Sequence, residues 1–362
     1  MGHNTLSRDF RFLLLSLCIA ACAAAQSTQP AVNPPATTPP SQTTPAANST
    51  QTSTPAPTSA PSTPASAATS GGQPAATAPP GDEVPRIRVR TDEVNVVFTV
   101  TDKHGKRVTD LKQGDFQVLD DSKPVQELRS FSNETNLPLQ VGLLIDASNS
   151  VRDRFKFEQE AAIEFLNQTV RSKYDQAFVV GFDATPEVTQ DFTDNTEMLA
   201  HGVRELRPGG GTALFDALYY ACRDKLLKAP RTTTTRRAII LLSDGEDNLS
   251  HVTREEAIEM AQRAEAIVYA ISTNVSGTKG RGDKEMERIA DATGGRAFFP
   301  FQIRDVANAF AEIQDELRSQ YAVSYRPADF KFDGHYRTIE IVANDRKNFR
   351  VRSRRGYYAP AQ

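Results

Sequence analysis

The sequence predicts an α/β fold: a doubly wound, mostly parallel sheet of the Rossmann-like kind, inserted between two halves of a small β-sandwich. Short apolar runs that end at polar residues, Val141–Ile145 and Ala238–Leu242, are typical of central strands covered on both faces. Helical periodicities alternate with such runs between about residues 137 and 318, which favours a parallel sheet with right-handed crossovers. Stretches on both sides of that region alternate apolar and polar residues, as half-buried strands do.

Residues 1–25 have the features of a secretory signal peptide. Arg8 and Arg11 precede an apolar core, and small residues up to Ala25 provide a cleavage site. The segment that ends at Cys22 also resembles a bacterial lipobox, in which this cysteine becomes the lipidated first residue. Both routes stay open. Either route predicts an exported protein that is periplasmic, in the cell envelope or secreted. Its membrane contact would be at most a lipid anchor at Cys22.

Residues 26–85 consist almost entirely of Pro, Thr, Ala, Ser and Gln. Such a segment cannot bury enough apolar surface to offset its ordering entropy, so we predict a disordered linker. The net charge of the whole chain is −3, which gives no indication of nucleic-acid binding. Cys222 is the one cysteine outside the predicted signal, and we expect a buried, inert thiol there.

Residues 86–136 and 319–362 carry the two β halves. In the first half, the alternating apolar positions are Ile87, Val89, Val94, Val96, Phe98, Val100, Phe116, Val118, Val125 and Leu128. In the second half, the strand-like runs are Tyr321–Tyr325, Tyr336–Ala343 and Phe349–Tyr358. Neither half is long enough to close a sheet alone, so we expect the two to pair in space.

The inserted region, residues 137–318, reads as alternating strands and helices. The first helix shows an apolar stripe, and Gly294 and Gly295 close a later one. The predicted strands are Val141–Ile145, Ala177–Phe182, Val188–Phe192, Ala238–Leu242 and Ile267–Ser272. The predicted helices are Phe155–Val170, Glu197–Leu206, Leu214–Leu227, Arg254–Ala264, Asp283–Thr293 and Arg304–Ser319.

Three loops of this region offer oxygen ligands to one edge of the sheet. Two of them directly follow buried strands, and the third has three consecutive glycines that permit close backbone approach. Because no Cys or His is among the donors, the set selects Mg²⁺, with Mn²⁺ or Ca²⁺ possible, over zinc or copper. The candidate metal ligands are Asp146, Ser148, Ser150, Thr212 and Asp244.

These motifs carry a family resemblance. DASNS at 146–150, GGGT at 209–212 and SDGED at 243–247 resemble, in this order, the metal-ion-dependent adhesion site of von Willebrand factor type A domains. The flanking runs KHGKRVTDLKQGDFQVLDDSKPV and RTIEIVANDRKNFRVRSRRGYYAP resemble acidobacterial exported proteins related to that family. The resemblance implies that the two serines and the threonine coordinate the metal, and that the aspartates bind it directly or through water.

The sequence therefore predicts a non-enzymatic, exported, metal-dependent protein-binding module, and its partner offers a carboxylate to the metal. Two alternatives stay open, a metal-dependent hydrolase and a structural scaffold of the envelope. No H-E-x-x-H, G-x-S-x-G or Walker motif is present, so no catalytic residue is predicted. The RGD tripeptide at 281–283 is interpreted as the start of a helix, with Asp283 as its cap.

Overall fold

The computed structural model describes residues 93–133, 137–230, 235–302, 304–345 and 347–360. The predicted signal peptide, the linker and the strand positions Ile87 and Val89 lie outside the described residues. Within the part of the chain that is described, no helix has both the length and the apolar character needed to cross a membrane.

Fourteen strands and six α-helices are named here in chain order for the described residues. The strands are β1 Val94–Asp102, β2 Phe116–Asp120, β3 Lys123–Pro124, β4 Leu128–Asn133, β5 Leu139–Asp146, β6 Gln176–Phe182, β7 Pro186–Thr193, β8 Arg236–Ser243, β9 Ala266–Ser272, β10 Ala297–Phe298, β11 Tyr321–Tyr325, β12 Tyr336–Ala343, β13 Phe349–Ser353 and β14 Gly356–Tyr358. The helices are α1 Phe155–Thr169, α2 Thr196–Glu205, α3 Leu214–Tyr220, α4 Arg254–Arg263, α5 Arg281–Thr293 and α6 Asp305–Leu317.

The central sheet has six strands in the order β10-β9-β8-β5-β6-β7. All neighbours run parallel except the edge strand β7, which is antiparallel to β6. Every residue of β5 and of β8 is buried, as continuous apolar runs predict for strands covered on both faces. The carboxyl ends of β5 and β8 therefore lie side by side at one edge of the sheet.

Helices cover both faces of this sheet. One apolar core joins α1, α2 and α6 to side chains such as Leu143 and Ile145 of β5. The other joins α3, α4 and α5 to Leu144 of β5 and Leu241 of β8. The predicted doubly wound architecture is confirmed, and Cys222 is buried in the second core, where burial raises the pKa of its thiol.

Some details of the α/β region differ from the sequence prediction. A single α-helix was predicted over Leu214–Leu227. In the structure the α-helix α3 ends at Tyr220, and a π-helical turn follows over Ala221–Leu226. This wider turn keeps Ala221, Cys222 and Leu226 on the buried side. The two-residue strand β10 was not predicted, because two residues are too few to show a periodicity.

The flanking residues form two four-stranded sheets, β13-β1-β11-β4 and β14-β12-β2-β3. Each sheet mixes both halves of the sequence: β1 pairs with β11 and β13, and β2 pairs with β12. The hydroxyls of Tyr325 and Tyr357 both donate to Asp120 Oδ2, at 2.7 and 3.1 Å, and so link the halves inside the core. The predicted insertion of the α/β region into a β-sandwich is confirmed, while the placement of the module boundaries at 136/137 and 318/319 stays a prediction.

The run Phe349–Tyr358 forms two strands that belong to different sheets. The break lies at Arg354 and Arg355, where the chain passes the end of α5 and Arg355 N donates to Ala292 O at 3.2 Å. A Cβ on Gly294, the left-handed residue that ends α5, would come within 2.5 Å of Arg354 N. This contact with the α/β region turns the strand from one sheet to the other.

Candidate metal centre

Asp146 is the last residue of β5 and has no exposed surface. Its Oδ1 accepts a hydrogen bond from Ser148 N at 2.9 Å, and its Oδ2 accepts one from the Ser243 hydroxyl at 2.6 Å. The second of these comes from the end of the neighbouring strand β8. Both carboxylate oxygens are thus fixed in orientation by neutral donors, which leaves the negative charge of Asp146 uncompensated by them.

The first loop places two hydroxyls next to this carboxylate. Ser148 Oγ and Ser150 Oγ lie 2.9 Å apart, close enough to bind one ion together. Ser148 is buried and Ser150 is exposed. Of the two hydroxyl-bearing residues, Ser148 is therefore on the buried side with Asp146 and Ser150 is on the solvent side.

The second loop, residues 209–212, is bonded to the first through its backbone. Gly209 N donates to Ala147 O at 2.6 Å, and Asn149 donates to Gly210 O through both its backbone N and its side chain. Gly210 has a φ of +69°, and a Cβ there would lie 2.9 Å from Asp183 Oδ2. Only glycine meets both requirements without strain, which explains the glycine run that precedes Thr212.

Thr212 connects the second loop to the third. Its backbone N donates to Asn248 Oδ1 at 3.0 Å, and its backbone O accepts from the N atoms of Asn248 and Leu249, each at 3.0 Å. Asp247 in the third loop also accepts from Phe215 N at 3.2 Å, at the start of α3. Thr212 is 3% exposed, so it is buried as Ser148 is.

Asp244 directly follows β8 and is only partly buried. Its Oδ1 accepts a hydrogen bond from Glu246 N at 3.1 Å. Burial raises the pKa of Asp146 to about 6, and the negative charge of Asp244 adds to that rise, while hydrogen bonds from Ser243 and Ser148 oppose it. A divalent cation bound by both carboxylates would relieve this repulsion between like charges.

The donors fit a hard divalent cation. The described residues contain no group of three or more His, Cys, Asp and Glu side chains placed to hold a metal. The candidate donors at this edge are serine and threonine hydroxyls beside two carboxylates. Such a set suits Mg²⁺ or Mn²⁺, which bind neutral oxygens and water along with one or two carboxylates.

Two charged residues near the site were not predicted from the sequence. Glu158 of α1 is 1% exposed, and Arg154, which directly precedes that helix, is 8% exposed. Burial raises the pKa of Glu158 to about 8, the nearby Arg154 lowers it, and the charges of Asp146 and Asp244 raise it further. The available signal was that Glu158 falls on the buried stripe of its helix, where a charged residue is exceptional.

Residues 141–246 match the model of the von Willebrand factor type A domain. This range begins in β5 and ends in the third loop, so it contains every one of the five candidate ligands. The chain contains a von Willebrand factor type A domain.

The comparison with curated proteins finds calcium-activated chloride channel regulator 1 of Bos taurus, 30% identical over 186 residues. The match covers 49% of this chain and 19% of that protein, so the chain spans about a fifth of the length of this relative.

Among solved structures, proximal thread matrix protein 1 from the mussel byssus is similar, with 16% identity and a TM-score of 0.45 over 54% of this chain and 50% of that one. A structure of the same protein with a zinc-occupied metal-ion-dependent adhesion site has 18% identity and a TM-score of 0.42 over 51% and 49%. The von Willebrand factor domain of the type V pili tip protein Mfa5 from Porphyromonas gingivalis has 16% identity and a TM-score of 0.40 over 50% and 95%.

The RGD tripeptide, which lies beyond the matched residues, forms the first turn of α5. Asp283 is fully buried and its Oδ2 accepts from Gly280 N at 2.7 Å and from Asn274 Nδ2 at 2.7 Å. The helix begins two residues earlier than predicted, and its N-cap is Gly280 instead of Asp283. The buried Asp283 carboxylate binds back to that cap from the first turn and cannot be reached from solvent.

Proposed function

We propose that this protein is a metal-dependent protein-binding module whose type A domain holds a divalent cation for the carboxylate of a protein partner. Asp146, Ser148, Ser150, Thr212 and Asp244 would hold the ion, Mg²⁺ first, with Mn²⁺ or Ca²⁺ possible. The bound ion supplies a positive centre at the edge of the sheet. The chain's own residues fix the position of that centre and keep one side of it open.

One observation carries the proposal: the candidate ligands lie on three loops that are bonded to one another, and they run from buried to exposed. Asp146, Ser148 and Thr212 are at most 3% exposed, while Ser150 is exposed and Asp244 is partly so. A site closed on all sides would suit an ion that only stabilises the fold. A site with an open side leaves room for an oxygen atom from another molecule.

The arrangement favours binding over hydrolysis. A hydrolase that activates water on the metal needs an acid or base on the open side, within reach of the substrate. The two carboxyls of this region with strongly raised pKa values are the candidate ligand Asp146 and Glu158, and they are only 0% and 1% exposed. Their shifts result mainly from burial, and neither group reaches the open side. We therefore propose a protein without catalytic activity.

Isothermal titration of the protein with Mg²⁺, and separately with Mn²⁺, tests the metal site. We expect saturable binding by the wild type and none by Asp146→Ala, because that change removes a buried anionic ligand. Asp153→Ala is the matched control, since Asp153 is an exposed aspartate seven residues further along the same segment. Absence of binding by the wild type, or normal binding by Asp146→Ala, would contradict the proposal.

A pull-down from envelope extract tests the partner. We expect a captured protein that EDTA releases and that Asp146→Ala fails to capture. The scaffold alternative makes a different prediction for Thr212→Ala, which would then melt at a lower temperature but capture the partner as well as the wild type does.

For localisation, we propose export to the periplasm, the cell envelope or the medium. The support is the sequence of residues 1–25, with either cleavage after Ala25 or lipidation of Cys22. Mass spectrometry of the mature N-terminus distinguishes the two routes, and an unprocessed protein retained in the cytoplasm would refute both.

A further inference from the structure

Thr212 is held by the third loop at both of its backbone polar atoms. Its N–H donates to Asn248 Oδ1 at 3.0 Å, and its carbonyl oxygen accepts from the backbone N atoms of Asn248 and Leu249, each at 3.0 Å. Asn248 therefore supplies an acceptor from its side chain and a donor from its backbone to the same residue. These contacts fix the orientation of the peptide units on both sides of Thr212.

The residues before Thr212 offer little resistance to rotation. The three glycines at 209–211 lack a Cβ, so the backbone there can adopt many conformations. A Cβ on Gly211 would lie 2.8 Å from Asn248 Oδ1 and 2.6 Å from Leu249 Cδ1, so glycine makes room for the contact with the third loop. The glycine run that admits Asn248 thus leaves the orientation of Thr212 dependent on it.

The chain after Thr212 also relies on the third loop. Ala213, the residue that precedes α3, makes no side-chain hydrogen bond that caps this helix. The first turn receives an acceptor from the third loop instead, because Asp216 N donates to Ser250 Oγ at 3.0 Å. This contact holds the start of α3, whereas the N–H of Thr212 is held by Asn248.

We propose that Asn248 is a positioning residue of the metal centre, which acts through Thr212. Its side chain holds the peptide unit between Gly211 and Thr212 in one orientation and thereby fixes the threonine relative to the other candidate ligands. Because metal–ligand distances tolerate only about 0.2 Å, a small rotation of this peptide unit is enough to weaken binding. This inference rests on the proposed function, since Thr212 is one of the five candidate ligands.

Isothermal titration with Mg²⁺ compares the wild type with two variants at position 248. Asn248→Ala removes the acceptor and frees the N–H of Thr212, and we expect the affinity to fall about tenfold, as for other residues that support metal ligands. Asn248→Asp has nearly the same shape and keeps an acceptor oxygen, so we expect it to bind at least as tightly as the wild type.

The negative charge that Asn248→Asp adds also attracts the cation, and salt separates this attraction from positioning. At about 1 M NaCl the screening length is about 3 Å, which removes most of the effect of an exposed charge. We expect Asn248→Asp to keep its advantage over Asn248→Ala under these conditions, because the hydrogen bond to Thr212 N acts at contact distance.

Asn195→Ala is the matched control. Asn195 is also an exposed asparagine whose side-chain oxygen accepts from backbone N–H groups, those of Glu197 and Met198 at 2.9 and 3.3 Å, but these belong to the start of α2. We expect this variant to bind Mg²⁺ like the wild type while its melting temperature falls. Thermal unfolding in EDTA checks that each variant is folded. Asn248→Ala should unfold cooperatively, because it keeps both backbone hydrogen bonds to Thr212 O.

The outcomes separate the two proposals. If the wild type binds no Mg²⁺, the proposed function fails and this inference fails with it. If the wild type binds and Asn248→Ala binds equally well, only the inference is overturned. It is also overturned if Asn248→Asp binds as weakly as Asn248→Ala, or loses its advantage at high salt, because the retained acceptor would then not position Thr212.

Discussion

Replacing Gly282 by alanine should damage the proposed metal centre although Gly282 is not one of its five candidate ligands. Gly282, the second residue of α5, lies directly against the backbone of the third loop. A Cβ at this position would lie 2.2 Å from Asp244 O, 2.5 Å from Gly245 C and 2.8 Å from Glu246 N. These are backbone atoms, so no side-chain rotation can relieve the contact, and the loop that carries Asp244 has to move.

The size of the movement follows from these distances. Real Cβ atoms essentially never come closer than 3.0 Å to another heavy atom, so the contact with Asp244 O must widen by about 0.8 Å. Metal–ligand distances tolerate only about 0.2 Å. We therefore expect Mg²⁺ affinity to fall at least about tenfold, which corresponds to about 1.4 kcal/mol. Overpacking costs about 1 to 3 kcal/mol, and the better helix propensity of alanine returns at most about 1 kcal/mol. With the full return counted, the free energy of unfolding should fall by up to about 2 kcal/mol.

Isothermal titration with Mg²⁺ and urea unfolding in EDTA measure the two effects. Gly280→Ala is the control, since a Cβ there would meet only Asn274 Nδ2 at 3.5 Å and Asp283 Oδ2 at 3.8 Å, which are ordinary contacts. The control should bind Mg²⁺ like the wild type. Wild-type affinity in Gly282→Ala would refute the reasoning, because the third loop would then tolerate the displacement or would not hold the metal.

Three further changes should alter stability away from the metal centre. Asp175→Asn removes a buried carboxylate that accepts from Leu139 N and from the guanidinium groups of Arg171 and Arg318, so urea unfolding at pH 7 should show a loss of about 3 to 5 kcal/mol. Burial raises the pKa of Asp175, but these hydrogen bonds outweigh burial and hold the pKa below its usual value. The loss of unfolding free energy should therefore shrink as the pH falls below about 4 and Asp175 of the wild type becomes protonated. A loss that does not depend on pH would contradict this. Asn195→Ala removes the side chain that accepts from the first backbone N–H groups of α2, and thermal unfolding should show a cost of about 1 kcal/mol. Tyr325→Phe leaves Asp120 without one of its two tyrosine donors and should cost about 1 to 3 kcal/mol, whereas an unchanged melting temperature would mean that this hydrogen bond does not stabilise the sandwich.

Several features could be predicted from the sequence because they depend on local pattern. Continuous apolar runs identified β5 and β8 as central strands, since a strand covered on both faces leaves no position for a polar residue. The polar residues that follow each run had to lie at the same edge, because parallel strands end on the same side. Spacing alone thus predicted that Asp146 and Asp244 would be neighbours.

Other features depend on contacts between residues far apart in the chain. The Ser243 hydroxyl orients Asp146 across 97 residues of sequence, and Gly245 and Gly282 touch only because α5 packs against the third loop. No periodicity marks these pairs. Glu158 gave a local signal, a charge on a buried stripe, but the sequence could not say which charges it faces.

The sequence by itself determined the class of fold and most of its strands and helices, because these follow from residue type and short-range spacing; the five oxygen donors stay a prediction made on the same basis. The tertiary structure decided that Arg154 and Glu158 are buried together as an ion pair. It also decided which ligands are buried and which face solvent, and how the two β halves share their sheets. These properties depend on electrostatics, burial and pairing across the folded chain, and no single segment contains them.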